Sequence, residues 1–229
     1  MTMRIAVALS GRGSNLEALL GALRSGAPAE IVLVISDRAD AAGVNLARTR
    51  GIPTQVLANA ADPAAWLGLL QQYEVDLVVL AGYLKLVPAP VIGAYRGMII
   101  NTHPALLPAF GGKGMYGERV HRAVLASGAR ETGVTIHLVD EVYDRGEVLA
   151  QVRVPVHPGD DTKRLAARVL EVEHQLLPAA VLAAAAAGRP VAFEFKVGSR
   201  ESGVGTQMPG RASSDQLPAP DSPTYAPDS

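Results

Sequence analysis

The 229-residue chain has the length of one domain of ordinary size with additional sequence, and 48% of its residues are hydrophobic, which is enough for a substantial core. The formal net charge of −1 gives no indication of a nucleic-acid partner. The chain has no cysteine, which excludes disulfides, thiolate metal sites and cysteine nucleophiles and agrees with a reducing compartment, the cytoplasm. The apolar run at the N-terminus is too short for a signal peptide or a membrane span, so we expect no membrane partner.

The first hundred residues alternate short apolar runs with amphipathic segments. Ser14 and Glu17 have the spacing of a capping box and predict the start of the first helix. The strands are apolar throughout, which is typical of a parallel sheet covered on both faces. We therefore expect an α/β fold: a Rossmann-like, doubly wound, mostly parallel sheet with helices on both faces. The predicted strands are 4–9, 31–35, 54–57, 77–80 and 98–101, and the predicted helices are 14–26, 41–51, 62–73 and 88–97.

The pattern changes after residue 130. Two successive strand-like runs at 133–139 and 148–156 predict a mixed C-terminal extension of the sheet, and a long helix is predicted at 161–187. Residues 193–196 are expected to add a short edge strand. From residue 198 the chain is rich in Gly, Pro and Ser, so we expect a folded domain at 1–197 and a disordered tail at 198–229.

A glycine-rich segment, SGRGSN at residues 10–15, follows the first predicted strand and precedes its helix. Helix N-termini in parallel sheets bind anions through free N–H groups. Gly11 and Gly13 match the start of a dinucleotide fingerprint, but Leu16 occupies the third glycine position, and no P-loop is present. The segment therefore predicts either a site for a single phosphate or only a tight turn.

Asn101 and His103 are two residues apart at the end of a predicted strand, so their side chains project to the same side. Pro104 ends the strand there, at the edge where open α/β sheets bind ligands. An amide donor and an imidazole suit a tetrahedral oxyanion in acyl transfer, or they only satisfy loop backbone groups. Asp144, in a later loop, either orients an imidazole or is a turn residue.

Several segments, taken together and in order, resemble the folate-dependent phosphoribosylglycinamide formyltransferases of purine biosynthesis. The resemblance extends over about residues 3–196. The segments are SGRGSNLEAL, VVLAGYLKLV, NTHPALLPAF, GKGMYGERVHRAVL, TGVTIHLVD with YDRGEVLAQ, and EVEHQLLP.

The resemblance implies transfer of a formyl group from 10-formyltetrahydrofolate to the amine of glycinamide ribonucleotide, with no metal. The catalytic residues would be Asn101, His103 and Asp144, with the two donors, His103 protonated, stabilising the formyl oxygen. The implied substrate-binding residues are Gly13, Ser14, Asn15 and Glu173. The implied folate-binding residues are Tyr83, Leu84, Lys85, Leu86, Val87, His137, Val139 and Asp140.

One feature departs from the family, in which a basic side chain from the segment before the fourth strand commonly lies near the phosphate. Residues 52–84 contain no Lys or Arg, so Arg12, Lys113 or Arg119 supplies the charge, or the helix dipole and backbone suffice. The oligomeric state is expected to be a monomer or a homodimer.

Other functions remain open at this point. The first is a formyltetrahydrofolate deformylase, in which water replaces the amine. A formyltransferase for methionyl-tRNA or a sugar nucleotide is a second, although the near-neutral charge and the lack of a second folded domain disfavour tRNA. A nucleotide-binding domain without catalysis would not need the Asn, His and Asp set, and Leu16 disfavours a Rossmann dehydrogenase.

Overall fold

The computed structural model describes residues 1–197, and the predicted tail at 198–229 lies outside the described residues. The strands are β1 (Met3–Leu9), β2 (Ala29–Ser36), β3 (Thr54–Val56), β4 (Leu77–Leu80), β5 (Ile99–His103), β6 (Glu131–Leu138) and β7 (Val148–Pro155). The helices are α1 (Ser14–Ala22), α2 (Ala42–Thr49), α3 (Pro63–Gln72), α4 (Ala89–Ala94), α5 (Glu118–Ala126) and α6 (Thr162–Ala187).

The strands form one sheet in the order β3-β2-β1-β4-β5-β6-β7. Strands β1 to β5 pair in parallel with one another, whereas β6 pairs antiparallel with both β5 and β7. The predicted mostly parallel sheet with a mixed C-terminal extension is confirmed. The chain moves outward from β1 to β3 and then returns to β4, so a topological switch point lies between β1 and β4.

The core lies on both faces of the sheet because alternate residues of each strand point to opposite sides. On one face, Ile5, Val7 and Leu9 of β1 pack in a cluster with residues of α1, α2, α5 and α6. On the other face, Ala6 and Ala8 pack in a cluster with residues of α3 and α4. We call these the α6 face and the α3 face.

Helix α6 is the longest element and closes the α6 face. Asp161 caps its N-terminus by accepting a hydrogen bond from the Arg164 N–H at 2.8 Å, and Gly188 ends it in the left-handed conformation at φ 72°. Its length and hydropathy would also suit a membrane span, but half of the apolar window is buried within the protein. The core position of α6 accounts for its composition.

Two local predictions are wrong. The first helix is capped by Gly13 at φ 82°, without a side-chain capping bond, so Ser14 and Glu17 do not form a capping box. The segment 193–196 is not a strand, because only one backbone hydrogen bond, from Phe193 N–H to Leu149 O at 3.0 Å, joins it to β7.

Candidate active site

A crevice of about 960 Å³ lies along the carboxyl ends of β1, β4 and β5, at the switch point of the sheet. This volume is within the range of small-molecule sites. Every residue that the sequence predicted for the site lines this one crevice: Asn101, His103, Asp144, Gly13, Ser14, Asn15, Glu173, Tyr83, Leu84, Lys85, Leu86, Val87, His137, Val139 and Asp140.

The glycine loop forms one end of the crevice. Gly13 has a left-handed backbone, and a Cβ atom there would lie 2.5 Å from the Cα of Gly43, so the loop packs directly against the start of α2. The Gly43 N–H also donates to the Gly11 carbonyl at 3.0 Å. Because α1 has no side-chain N-cap, its first N–H groups are available to an anionic ligand.

The end of β5 contributes side chains to both faces of the sheet. Ile99 belongs to the α3-face cluster and Ile100 to the α6-face cluster. Strand alternation therefore places Asn101 and His103 on the α3 face and Thr102 on the α6 face. The predicted same-side placement of the Asn and the His agrees with this geometry.

His103 is 3% exposed and lies between a carbonyl and a carboxylate. Its Nε2 is 2.9 Å from the Phe110 carbonyl oxygen, which can only accept, so Nε2 carries a hydrogen. Its Nδ1 is 3.6 Å from Oδ2 of Asp144. Burial holds the pKa of His103 below its ordinary value, although Asp144 and the Phe110 carbonyl act in the opposite direction. Burial therefore favours the neutral form of the imidazole.

Asp144 lies in the loop between β6 and β7 with a left-handed backbone at φ 57°. Its Oδ2 accepts the Gly112 N–H at 2.8 Å, and its Oδ1 is 3.6 Å from Nε2 of His137. Gly111 permits this approach, since a Cβ atom there would lie 3.1 Å from the Asp144 Cβ. Burial acts to raise the pKa of Asp144, but the two histidines and the Gly112 N–H hold it below its ordinary value. The carboxylate is thus ionised between two imidazoles.

Glu173 projects from α6 into the α6-face side of the crevice and is 8% exposed. It accepts a hydrogen bond from the Thr102 hydroxyl at 3.2 Å. Burial raises the pKa of Glu173 to about 7, against the hydrogen bonds from Thr102 and Asn15. Its protonation state therefore changes near neutral pH.

The segment after β4 forms the opposite wall. Leu84 and Leu86 are each 43% exposed although apolar, as expected for a wall that a flat ligand covers. Val87 is buried, and the Tyr83 ring packs edge-on against Trp66 with ring centroids 5.6 Å apart. Tyr83, which the resemblance places among the folate-binding residues, thus packs its ring into the core beside the crevice.

Comparison with known proteins agrees with this geometry. The profile of the formyl transferase family matches residues 3–181. The chain belongs to the formyl transferase family. It is 47% identical over 180 residues to a chloroplastic phosphoribosylglycinamide formyltransferase of Vigna unguiculata, covering 76% of the chain but only 58% of that relative. The corresponding enzyme of Haemophilus influenzae is 39% identical, with 76% and 84% covered. The phosphoribosylglycinamide formyltransferase structure from Brucella melitensis has a TM-score of 0.73 and 43% identity, with 81% and 97% covered.

A formyl transferase requires a folate-type donor, and the crevice suits a polar ligand of that kind. Three buried polar atoms of crevice residues have no partner within residues 1–197: Oδ1 of Asn15, the Tyr83 hydroxyl and Nδ1 of His121. Buried polar groups are normally hydrogen-bonded, so such atoms are candidates for ligand or water contacts. Within the same residues, no group of three His, Cys, Asp or Glu is arranged to hold a metal ion.

Sequence reasoning missed Thr102 and Lys163, and from the sequence alone His121 fits a place near the substrate and a place on the surface equally well. Thr102 was overlooked because it points away from its neighbours on β5, although strand alternation could have indicated the α6 face. His121 is 6% exposed and lines the crevice, and burial, followed by its proximity to His103, lowers its pKa. Lys163, at the start of α6, adds a cation to the crevice wall.

Proposed function

We propose that the protein transfers a formyl group from 10-formyltetrahydrofolate to the amine of glycinamide ribonucleotide, a step of purine biosynthesis. The names of the relatives support this assignment. The observation that carries it is one crevice joining the glycine loop to the cluster of Asn101, His103 and Asp144. An uncapped helix N-terminus suits a phosphate, and the cluster suits acyl transfer.

We assign the two substrates to opposite faces of the sheet at the end of β5. On the α6 face, the Gly13–Asn15 segment would bind the phosphate and Glu173 the ribonucleotide. On the α3 face, the apolar wall of Leu84 and Leu86 would cover the folate, with Val139 and Asp140 on the opposite loop. The exposure of the two leucines and the buried position of Glu173 support this division.

The folate donor, when bound, would supply the formyl group to the substrate amine. Asn101 would donate an amide N–H to the formyl oxygen, where negative charge develops. His103 would take up the amine proton at Nδ1, and Asp144, 3.6 Å away, would stabilise the resulting imidazolium. His103 would then return the proton to the departing folate nitrogen. We take His103 as neutral before the reaction, unlike the protonated state that the resemblance implies, because burial lowers its pKa.

Residues 1–197 are the proposed formyltransferase domain, and the absence of cysteine in the chain supports the cytoplasm as its compartment. A protein ending at residue 197 should keep the turnover of the full chain. Loss of folding or of most of the activity on truncation would contradict that boundary.

An assay of the purified full chain with 10-formyl-5,8-dideazafolate, with and without glycinamide ribonucleotide, tests the function. We expect consumption of the formyl donor only when the ribonucleotide is present, together with formation of formylglycinamide ribonucleotide. Rapid loss of the formyl group in the absence of the amine would instead indicate a deformylase. No consumption under either condition would contradict both assignments.

A further inference from the structure

His137 contacts the proposed oxyanion donor rather than an open ligand surface. It lies on β6 directly opposite Asn101 of β5 and is 2% exposed. Its Nε2 is 3.0 Å from Nδ2 of Asn101, and its Nδ1 is 2.7 Å from the Leu138 carbonyl oxygen. Both ring nitrogens therefore have partners within the protein, and these partners restrict what the ring can do.

The Leu138 carbonyl determines which nitrogen carries the hydrogen. A carbonyl oxygen only accepts hydrogen bonds, so Nδ1 of His137 must be the donor. In the neutral ring, Nε2 is then an acceptor, and the Asn101 side chain must present its NH₂ group to it. The opposite amide orientation would place the Asn101 oxygen against an unprotonated nitrogen, with no hydrogen between them.

We propose that His137 is a positioning residue that, as the neutral Nδ1–H tautomer, fixes the Asn101 amide with its NH₂ group available to the formyl oxygen. One amide hydrogen bonds His137, and within residues 1–197 the second has no acceptor. The inference rests on the proposed formyl transfer, and it gives His137 a role different from the folate contact that the family resemblance implies. His137 acts on the reaction only through Asn101.

Two groups compete at Nε2 of His137: the Asp144 carboxylate favours its protonation, whereas the Asn101 NH₂ group requires an unprotonated acceptor. Asp144 lies 3.6 Å from its Nε2, from the loop between β6 and β7, and His103 on β5 faces the other oxygen of the same carboxylate. If Nε2 became protonated, its N–H would face the Asn101 NH₂ group. The amide would then have to invert and present its oxygen instead of a donor. The neutral tautomer is thus the form that supports transfer.

Two conservative variants separate the two ring nitrogens. In His137→Gln, the longer amide places an oxygen near the position of Nε2, so an acceptor for Asn101 remains. In His137→Asn, the shorter amide reaches only the position of Nδ1, so the Leu138 contact remains and the acceptor is lost. We expect His137→Gln to keep kcat within roughly tenfold, and His137→Asn to lose on the order of a hundredfold, as for loss of an oxyanion donor.

Michaelis constants and a double mutant distinguish positioning from binding or packing. Both variants should keep KM for the folate and the ribonucleotide. His137→Asn combined with Asn101→Ala should be no slower than Asn101→Ala alone, since residues acting through one group are not additive. Thermal unfolding of each variant checks that the fold is intact. Equal loss of kcat in the two folded His137 variants, or a raised folate KM at unchanged kcat, would overturn the proposal.

A measurement on the wild-type protein is independent of turnover. Long-range ¹H–¹⁵N NMR spectra, assigned by the signals that disappear in His137→Gln, report the tautomer of His137. Nδ1 should resonate as a protonated nitrogen and Nε2 as an unprotonated one, whereas the reverse would overturn the inference. If the wild-type protein transfers no formyl group, the proposed function fails, while the spectrum still decides the orientation of the pair.

Discussion

Replacing Glu173 with Gln should make stability less dependent on pH. The carboxylate is buried and its pKa is raised to about 7, so ionising it in the folded protein is unfavourable. Gln keeps an oxygen for the Thr102 hydroxyl, and the Asn15 amide can rotate to present its unpartnered Oδ1 to the new NH₂ group. The substitution therefore removes the ionisation while the side chain at position 173 keeps both of its hydrogen-bonding partners.

The magnitude follows from the rise of the Glu173 pKa from 4.5 to about 7, which corresponds to roughly 3 kcal/mol. Between these values the folded state binds more protons at Glu173 than the unfolded state, so this group lowers the free energy of unfolding as pH rises. Wild type should thus lose stability relative to Glu173→Gln by about 1.4 kcal/mol per pH unit in that interval. The difference should be constant below pH 4.5 and again above pH 7.

Urea unfolding of both proteins at a series of pH values between 4.5 and 8 measures the difference directly, because the other titrating groups cancel. Glu171→Gln is the matched control, since Glu171 lies on the same helix with an exposed side chain. Its effect on the free energy of unfolding should be small and the same at each pH. A Glu173→Gln effect that does not change with pH would refute the reasoning about burial.

Three further predictions concern the crevice. Gly11→Ala should raise KM for the ribonucleotide without destabilising the fold, because a Cβ atom there meets nothing within 4 Å. Gly13→Ala should instead lower the unfolding temperature, since its Cβ would clash with α2. Calorimetry and steady-state kinetics separate the two effects. Arg12→Ala should raise KM for the ribonucleotide at least about tenfold and leave kcat unchanged. The control Arg24→Ala, at an exposed position, should change neither KM nor kcat. An unchanged KM in Arg12→Ala would exclude Arg12 as the cation that binds the phosphate. Asp144→Asn should lower kcat on the order of a hundredfold. It should also lower the pKa of His103 further, so the acid limb of the plot of kcat against pH should move to lower pH. An unchanged pH dependence of kcat would make Asp144 only a turn residue.

The sequence predicted the sheet well because its central strands are buried on both faces. A continuous apolar run such as LVVL has no alternation, and the structure places β4 at residues 77–80, as predicted. The error at Ser14 has a physical cause. The capping pattern describes a helix that satisfies its own N-terminus, whereas here Gly13 supplies a left-handed turn and leaves the N–H groups free.

Contacts between distant segments could not be predicted from local pattern. The Thr102 hydroxyl and Glu173 are 71 residues apart in the chain and meet only because α6 packs across the end of β5. The approach of Asp144 to His103 depends on a left-handed backbone at Asp144 and on Gly111 packing against it. The family resemblance named Glu173, His103 and Asp144 but not Thr102, and only the packing explains why these residues meet.

The three letters N-T-H at the end of β5 show how a strand can separate two tasks within one crevice. Because alternate residues point to opposite faces, the proposed donor Asn101 and the proposed base His103 face one side, and the Thr102 contact to Glu173 faces the other. A shift of register by one residue would exchange the two sets. The register is held on both sides, since Asn101 pairs with Leu80 of β4 and with His137 of β6. The residue that fixes the Asn101 amide is thus also its backbone partner, so the same strand pairing sets both the position and the orientation of the donor.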